Sequence, residues 1–137
     1  MKITRARLLA LALATSLGAC DGDDLPPAPP PPSGPGFLQV VLATERTDAG
    51  ALSIVLSGGP MDSVRVNQTT LLLAEPGAAE QSLIIAGQLS GGTVILRFWV
   101  PDVADVASYS AVVEQAARRG SYEQHSPAEY NLIVARD

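Results

Sequence analysis

From residue 37 onward, apolar positions recur with a period of two, in short runs separated by turn signals. Phe37–Thr44 puts Leu38, Val40 and Leu42 on one face and Gln39 and Val41 on the other. Asp48-Ala49-Gly50 reads as a turn. Ala51–Ser57 then sends Leu52, Ile54 and Leu56 inward and Ser53 and Ser57 outward, and Ser57-Gly58-Gly59-Pro60 ends the run. Ser63–Val66 is a short strand with Val64 and Val66 inward and Arg65 outward. Thr69–Ala74 follows, closed by Glu75-Pro76-Gly77. Gln81–Gln88 has Leu83 and Ile85 inward, and Ser90-Gly91-Gly92 predicts a hairpin turn into Thr93–Val100. The last strand is Tyr130–Arg136, with Tyr130, Leu132 and Val134 inward.

Residues 102–119 admit two patterns. As a helix, Asp102 is the N-cap, Val103, Val106 and Val113 sit near helical spacing, and Arg118-Arg119-Gly120 is the stop. As a strand, Asp102–Ala107 is a turn or short helical piece, and Tyr109, Ala111 and Val113 alternate inward against Ser110 and Val112. The strand is favoured, because Thr93–Val100 needs a partner and Val100-Pro101-Asp102 suits a strand end. Gly120–Ala128 is then a polar loop. Short strands at regular spacing predict an all-β fold, a small antiparallel β-sandwich of about seven strands over residues 37–137. Ser-Gly-Gly-x-x-Asp-Ser-Val at 57–64 and Gly-Gly-x-Val-x-Leu-x-Phe at 91–98 resemble immunoglobulin-like or cohesin-like sandwiches of bacterial surface proteins. Cohesins bind dockerins and their relatives bind carbohydrate, but no dockerin-binding residue maps onto this chain. The resemblance therefore implies architecture alone.

The same period of two sorts Thr93–Val100. Val94, Leu96, Phe98 and Val100 share one face; Thr93, Ile95, Arg97 and Trp99 share the other. If the first face is core, Arg97 and the only tryptophan, Trp99, are displayed together as a candidate ligand-binding pair. The alternatives are that Trp99 is tucked under a loop, or that the faces are reversed with Trp99 in the core.

The first 19 residues have a different pattern. Lys2, Arg5 and Arg7 precede the uncharged run Leu8–Leu17, the layout of an export signal. The run falls well short of the ~20 apolar residues that cross a bilayer. Leu17-Gly18-Ala19-Cys20 resembles the lipobox of bacterial lipoproteins. That resemblance implies cleavage between Ala19 and Cys20 and acylation of Cys20, so that residues 1–19 are the signal peptide. The partner so implied is a lipid bilayer, held through acylated Cys20, and the location is a bacterial cell envelope. Two or three acyl chains anchor stably where one is marginal. Residues 20–36 form the tether. Leu25–Gly36 holds seven prolines in twelve residues, which lack amide donors and favour extended polyproline II.

Composition narrows the rest. From Cys20 onward there are six basic residues, all arginine, against fourteen acidic ones. An acidic chain without a basic cluster is unsuited to nucleic acid. Arg118-Arg119 reads as a solvated turn. With its one cysteine assigned to lipid, the head lacks a disulfide and depends on its hydrophobic core.

No catalytic constellation is legible. The sole histidine, His125, lies in the polar loop and reads as solvated. No Gly-x-Ser-x-Gly occurs, and one histidine falls short of a zinc set. Asp102 and Asp105 read as turn caps rather than a glycosidase pair. Neither glycine turn continues into a phosphate-binding Lys-Ser/Thr. The expectation is a non-enzymatic protein without cofactor or metal. Its partner is an envelope protein or a glycan, met either as a binding and assembly module or as an accessory subunit of an envelope complex.

Overall fold

The computed structural model describes residues 27–67, 71–75 and 79–137, with 71–75 described by backbone alone. Alternation produces strands β1 (Gly36–Ala43), β2 (Ala49–Ser57), β3 (Asp62–Val66), β4 (Leu71–Glu75), β5 (Glu80–Leu89) and β6 (Thr93–Val100). A 3₁₀ segment, Val103–Ser108, leads into β7 (Ser110–Arg118); the two-residue β8 (Gln124–His125), a 3₁₀ turn Pro127–Glu129 and β9 (Asn131–Arg136) complete the described chain. Every pairing is antiparallel. The strands form a four-stranded sheet in the order β3-β6-β1-β9 and a five-stranded sheet in the order β4-β5-β2-β7-β8. The fold is thus a small antiparallel β-sandwich. No described helix is long and apolar enough to cross a membrane.

The core is the layer between the sheets. Leu38, Val40 and Leu42 of β1 and Leu96, Phe98 and Val100 of β6 face Leu52, Ile54 and Leu56 of β2 and Leu83 and Ile85 of β5, all buried. Fully burying such a side chain contributes roughly 1.5–3 kcal/mol. Phe98 meets the tilted ring of Tyr109 at 5.5 Å between centroids. The Tyr109 hydroxyl donates to the Pro60 carbonyl at 3.0 Å, so its polar end is satisfied. Tyr109 also explains Gly58, which has φ +143°. A Cβ there would stand 2.5 Å from the Ser108 carbonyl oxygen and 2.8 Å from the Tyr109 ring.

Three expectations are corrected. Ser90-Gly91-Gly92 does not make a hairpin: β5 and β6 lie in different sheets, and the turn carries the chain across the sandwich. The Gly92 amide donates to the Leu42 carbonyl at 2.7 Å, which catches the crossing on the end of β1. Glycines signal reversal, but not which strand the chain meets next. Residues 110–118 do form a strand, yet β7 pairs with β2, while β6 is flanked by β1 and β3. Ile95 is buried rather than displayed, because Val40 pairs with Leu96 and Val41 with Val94. Ile95 is the extra residue of a bulge, which turns Ile95 inward and leaves Val94, expected on the core face, half-buried opposite the outward Val41.

The segment before β1 is fastened to the sandwich. The Gly34 amide donates to Asp102 Oδ1 at 2.8 Å, and the Val103 amide donates back to the Gly34 carbonyl at 2.9 Å. Asp102 Oδ1 also accepts from the Ala104 amide, so one carboxylate caps the 3₁₀ segment and holds the incoming chain.

Phe98 is fully buried, whereas Ile133 is 53% exposed on β9. Phe98→Ala should destabilise the protein by about 3–5 kcal/mol. Ile133→Ala should change stability by less than about 1 kcal/mol. Urea unfolding followed by circular dichroism measures both, and equal losses would contradict this core.

Candidate functional site

Because β6 buries Phe98 and Val100, Arg97 and Trp99 emerge on the outer face of the four-stranded sheet, each half-buried. The two candidate residues are therefore together on one surface, and the assignment with Trp99 in the core is excluded. Register adds neighbours that sequence could not supply. Phe37 of β1 stands directly opposite Trp99, and Gln39 opposite Arg97. On the other flank, Arg65 of β3 stands opposite Arg97, and Asp62 opposite Trp99. The Arg65 guanidinium lies over the Phe37 ring, 4.7 Å from its centroid, a cation–π contact. Arg97 Nε donates to Asp137 Oδ1 at 2.9 Å, with the two side chains 38% and 43% exposed. The Gln39 amide donates to the Arg136 carbonyl at 3.0 Å, and Asp62 Oδ1 accepts from the Ser63 amide.

This patch presents two aromatic rings and two guanidinium groups on a sheet surface. β6 and β1 are interior strands, so their backbone groups are taken up in ladders on both sides. A ligand here is read by side chains: Trp99 for stacking, guanidiniums for anions, and Gln39 and Asp62 for polar contacts. Phe37, Arg65 and Gln39 were not among the sequence candidates. Each has the right outward parity on its own strand, but their convergence depends on strand order. Cys20 and Ala19 lie outside the described residues.

A second polar cluster closes one end of the sandwich. Arg46, in the β1–β2 connection, holds Asp48 with a bidentate pair at 3.0 and 3.1 Å and reaches Glu129 at 3.0 Å. Arg118, at the end of β7, joins Asp48 at 3.2 Å and Glu123 at 3.8 Å. Arg118 is thus part of an ion-pair network rather than a free turn. His125 is not solvated either: its side chain is 8% exposed. Its Nε2 accepts from Arg46 at 3.2 Å, which leaves Nδ1 to donate to the Tyr130 hydroxyl at 2.6 Å. The β7–β8 pairing carries His125 into this position. A hollow of about 730 Å³ opens beside this cluster, lined by Ala43, Thr44, Glu45, Arg46, Glu129 and Asn131, with no aromatic side chain. Among the described residues no group of three or more His, Cys, Asp or Glu side chains is placed to hold a metal.

Hydrogen bonds from Arg46 hold the Asp48 carboxyl below its ordinary value of 3.8. Backbone hydrogen bonds from Ala104 and Gly34 do the same for Asp102. A lowered folded-state value means that the unfolded chain takes up protons first as pH falls. The stability these carboxylates contribute is therefore complete above the unfolded value and is lost as pH drops through the folded one. Acid unfolding should set in below about pH 4. Asp48→Asn should lower stability at neutral pH and flatten the acid limb of the stability profile; an unchanged limb would exclude this role.

No family model matches the chain, and no curated protein or solved structure matches it either.

Proposed function

We propose that the chain is a lipid-anchored protein of a bacterial cell envelope whose sandwich is a non-catalytic binding or assembly module. Leu17-Gly18-Ala19-Cys20 supports the anchor. The observation that carries the binding half is the outer face of the four-stranded sheet, where half-buried Trp99 adjoins Phe37 and Arg97 adjoins Arg65. Trp and Arg dominate binding hot spots because they combine large contact area with directional polar groups. The partner is an envelope glycan or protein. The excess of acidic over basic residues argues against nucleic acid.

A second reading, as an accessory subunit of an envelope complex, is favoured by the open flank of the sandwich. Beyond its pairing with β2, β7 meets β8 only at Ala116 and Ala117 among the described residues. Its edge from Ser110 runs past a cleft of about 300 Å³ bordered by Tyr109, Ala111, Leu132 and Val134. Such an edge suits strand addition by a partner chain.

Cell fractionation tests the anchor. Wild type should sediment with membranes, and Cys20→Ala should be released into the soluble fraction or accumulate uncleaved. Unchanged partitioning of the variant would refute lipid anchoring. For the binding half, Trp99→Ala should keep the wild-type circular dichroism spectrum yet lose retention on purified envelope polysaccharide; full retention by the folded variant would refute the face.

A further inference from the structure

The two arginines of the outer face are an unusual pairing. Arg65 and Arg97 occupy directly opposed positions on adjacent strands. Like charges so placed repel and weaken a sheet pair. The chain has only six arginines and no lysine after Cys20, yet two of its few cations are set against each other here. Among the described residues, Arg65 makes no ion pair within 4 Å; its guanidinium rests on Phe37 instead. Arg97 already binds one carboxylate, that of Asp137, through Nε. Its two Nη groups make no hydrogen bond or ion pair among the described residues. Asp62 sits opposite Trp99, two residues along β6 from the Arg65–Arg97 pair, and its Oδ1 is engaged by its own neighbour's amide.

Two residues along a strand is about 7 Å, the scale of one pyranose ring. We infer that this face takes an acidic saccharide, with a sugar ring stacked on Trp99 and its carboxylate or phosphate held between Arg65 and Arg97. The inference rests on the binding-module proposal and specifies its ligand. A sugar is favoured over an acidic peptide by the strand order. Although Arg65 lies on the edge strand β3, Arg97 and Trp99 lie on the interior strand β6, which offers no free backbone for strand addition, and an aromatic ring face recognises sugar rings. A planar guanidinium pair recognises the oxyanion bidentately.

Trp99, the only tryptophan, reports directly on the site. Its fluorescence in the full-length protein in detergent is titrated with trigalacturonate for the carboxylate and singly phosphorylated maltotriose for the phosphate. Plain maltotriose is the uncharged control, and hexaglutamate carries charge without a sugar. A saturable change with either acidic sugar, at least tenfold tighter than with maltotriose, supports the inference, and the tighter of the two identifies the oxyanion. Arg65→Gln and Arg97→Gln should each weaken that binding about tenfold, with partial recovery in the Lys variants. Added salt should weaken the wild-type response, a readout that needs no variant. Equal affinity for maltotriose overturns the inference while leaving a sugar-binding face. Hexaglutamate binding as tightly as the acidic sugars overturns it in favour of an acidic peptide. No response to any ligand overturns it outright, whereas failure of the binding-module proposal itself would appear as retention of folded Trp99→Ala on envelope polysaccharide.

Discussion

The apolar layer between the two sheets controls the rest of the molecule. The described sandwich contains no cysteine, so interdigitated side chains of β1, β2, β5 and β6 must hold it together. A strand has only two faces, and burying one displays the other. Burial of Phe98 and Val100 therefore puts Arg97 and Trp99 outside, and burial of Leu38 and Val40 puts Phe37 and Gln39 beside them. The candidate binding face is the complement of the core. A one-residue slip of β6 would lose both together, since it would exchange Phe98 for Trp99. The bulge at Ile95 adds one inward residue without disturbing the parity of residues 96–100.

Charge is distributed to match that architecture. The acidic chain divides its arginines among distinct tasks. Arg46 and Arg118 converge on Asp48 and tie the β1–β2 connection to the end of β7. Individually, such exposed pairs contribute little, but a shared carboxylate makes them a network. His125, its side chain 8% exposed, extends this network to Tyr130, which closes the core at the start of β9. Arg136 donates to the Val103 carbonyl and so steadies the segment that binds Gly34. On the outer face Arg65 rests on Phe37 and Arg97 pairs with Asp137, beside Trp99.

The tether clasp and the aromatic face are close in the chain. Gly34 is bound by Asp102 and Val103, β1 starts at Gly36, and Phe37 is the first outward aromatic. The chain thus enters the sandwich at the Trp99 end of the sheet. Hydrogen bonds in both directions fix Gly34 just before the Phe37–Trp99 pair.

Local pattern determined the longer strands, most of their inward residues and the outward parity of Arg97 and Trp99, because a period of two is a property of each strand by itself; it missed the short β8 and placed Val94 rather than Ile95 in the core. It also singled out Asp102 as a cap, since capping acts over a few residues. Other features required the tertiary structure. Ser90-Gly91-Gly92 marks a reversal, but whether the chain returns in the same sheet or crosses to the other depends on which strands flank β1. The partner of β7, the bulge at Ile95 and the burial of His125 likewise arise from pairings between residues distant in the chain. Phe37, Arg65 and Gln39 join Trp99 and Arg97 for the same reason: parity is written into each strand, while strand order and register emerge only when all the strands compete to fill one core.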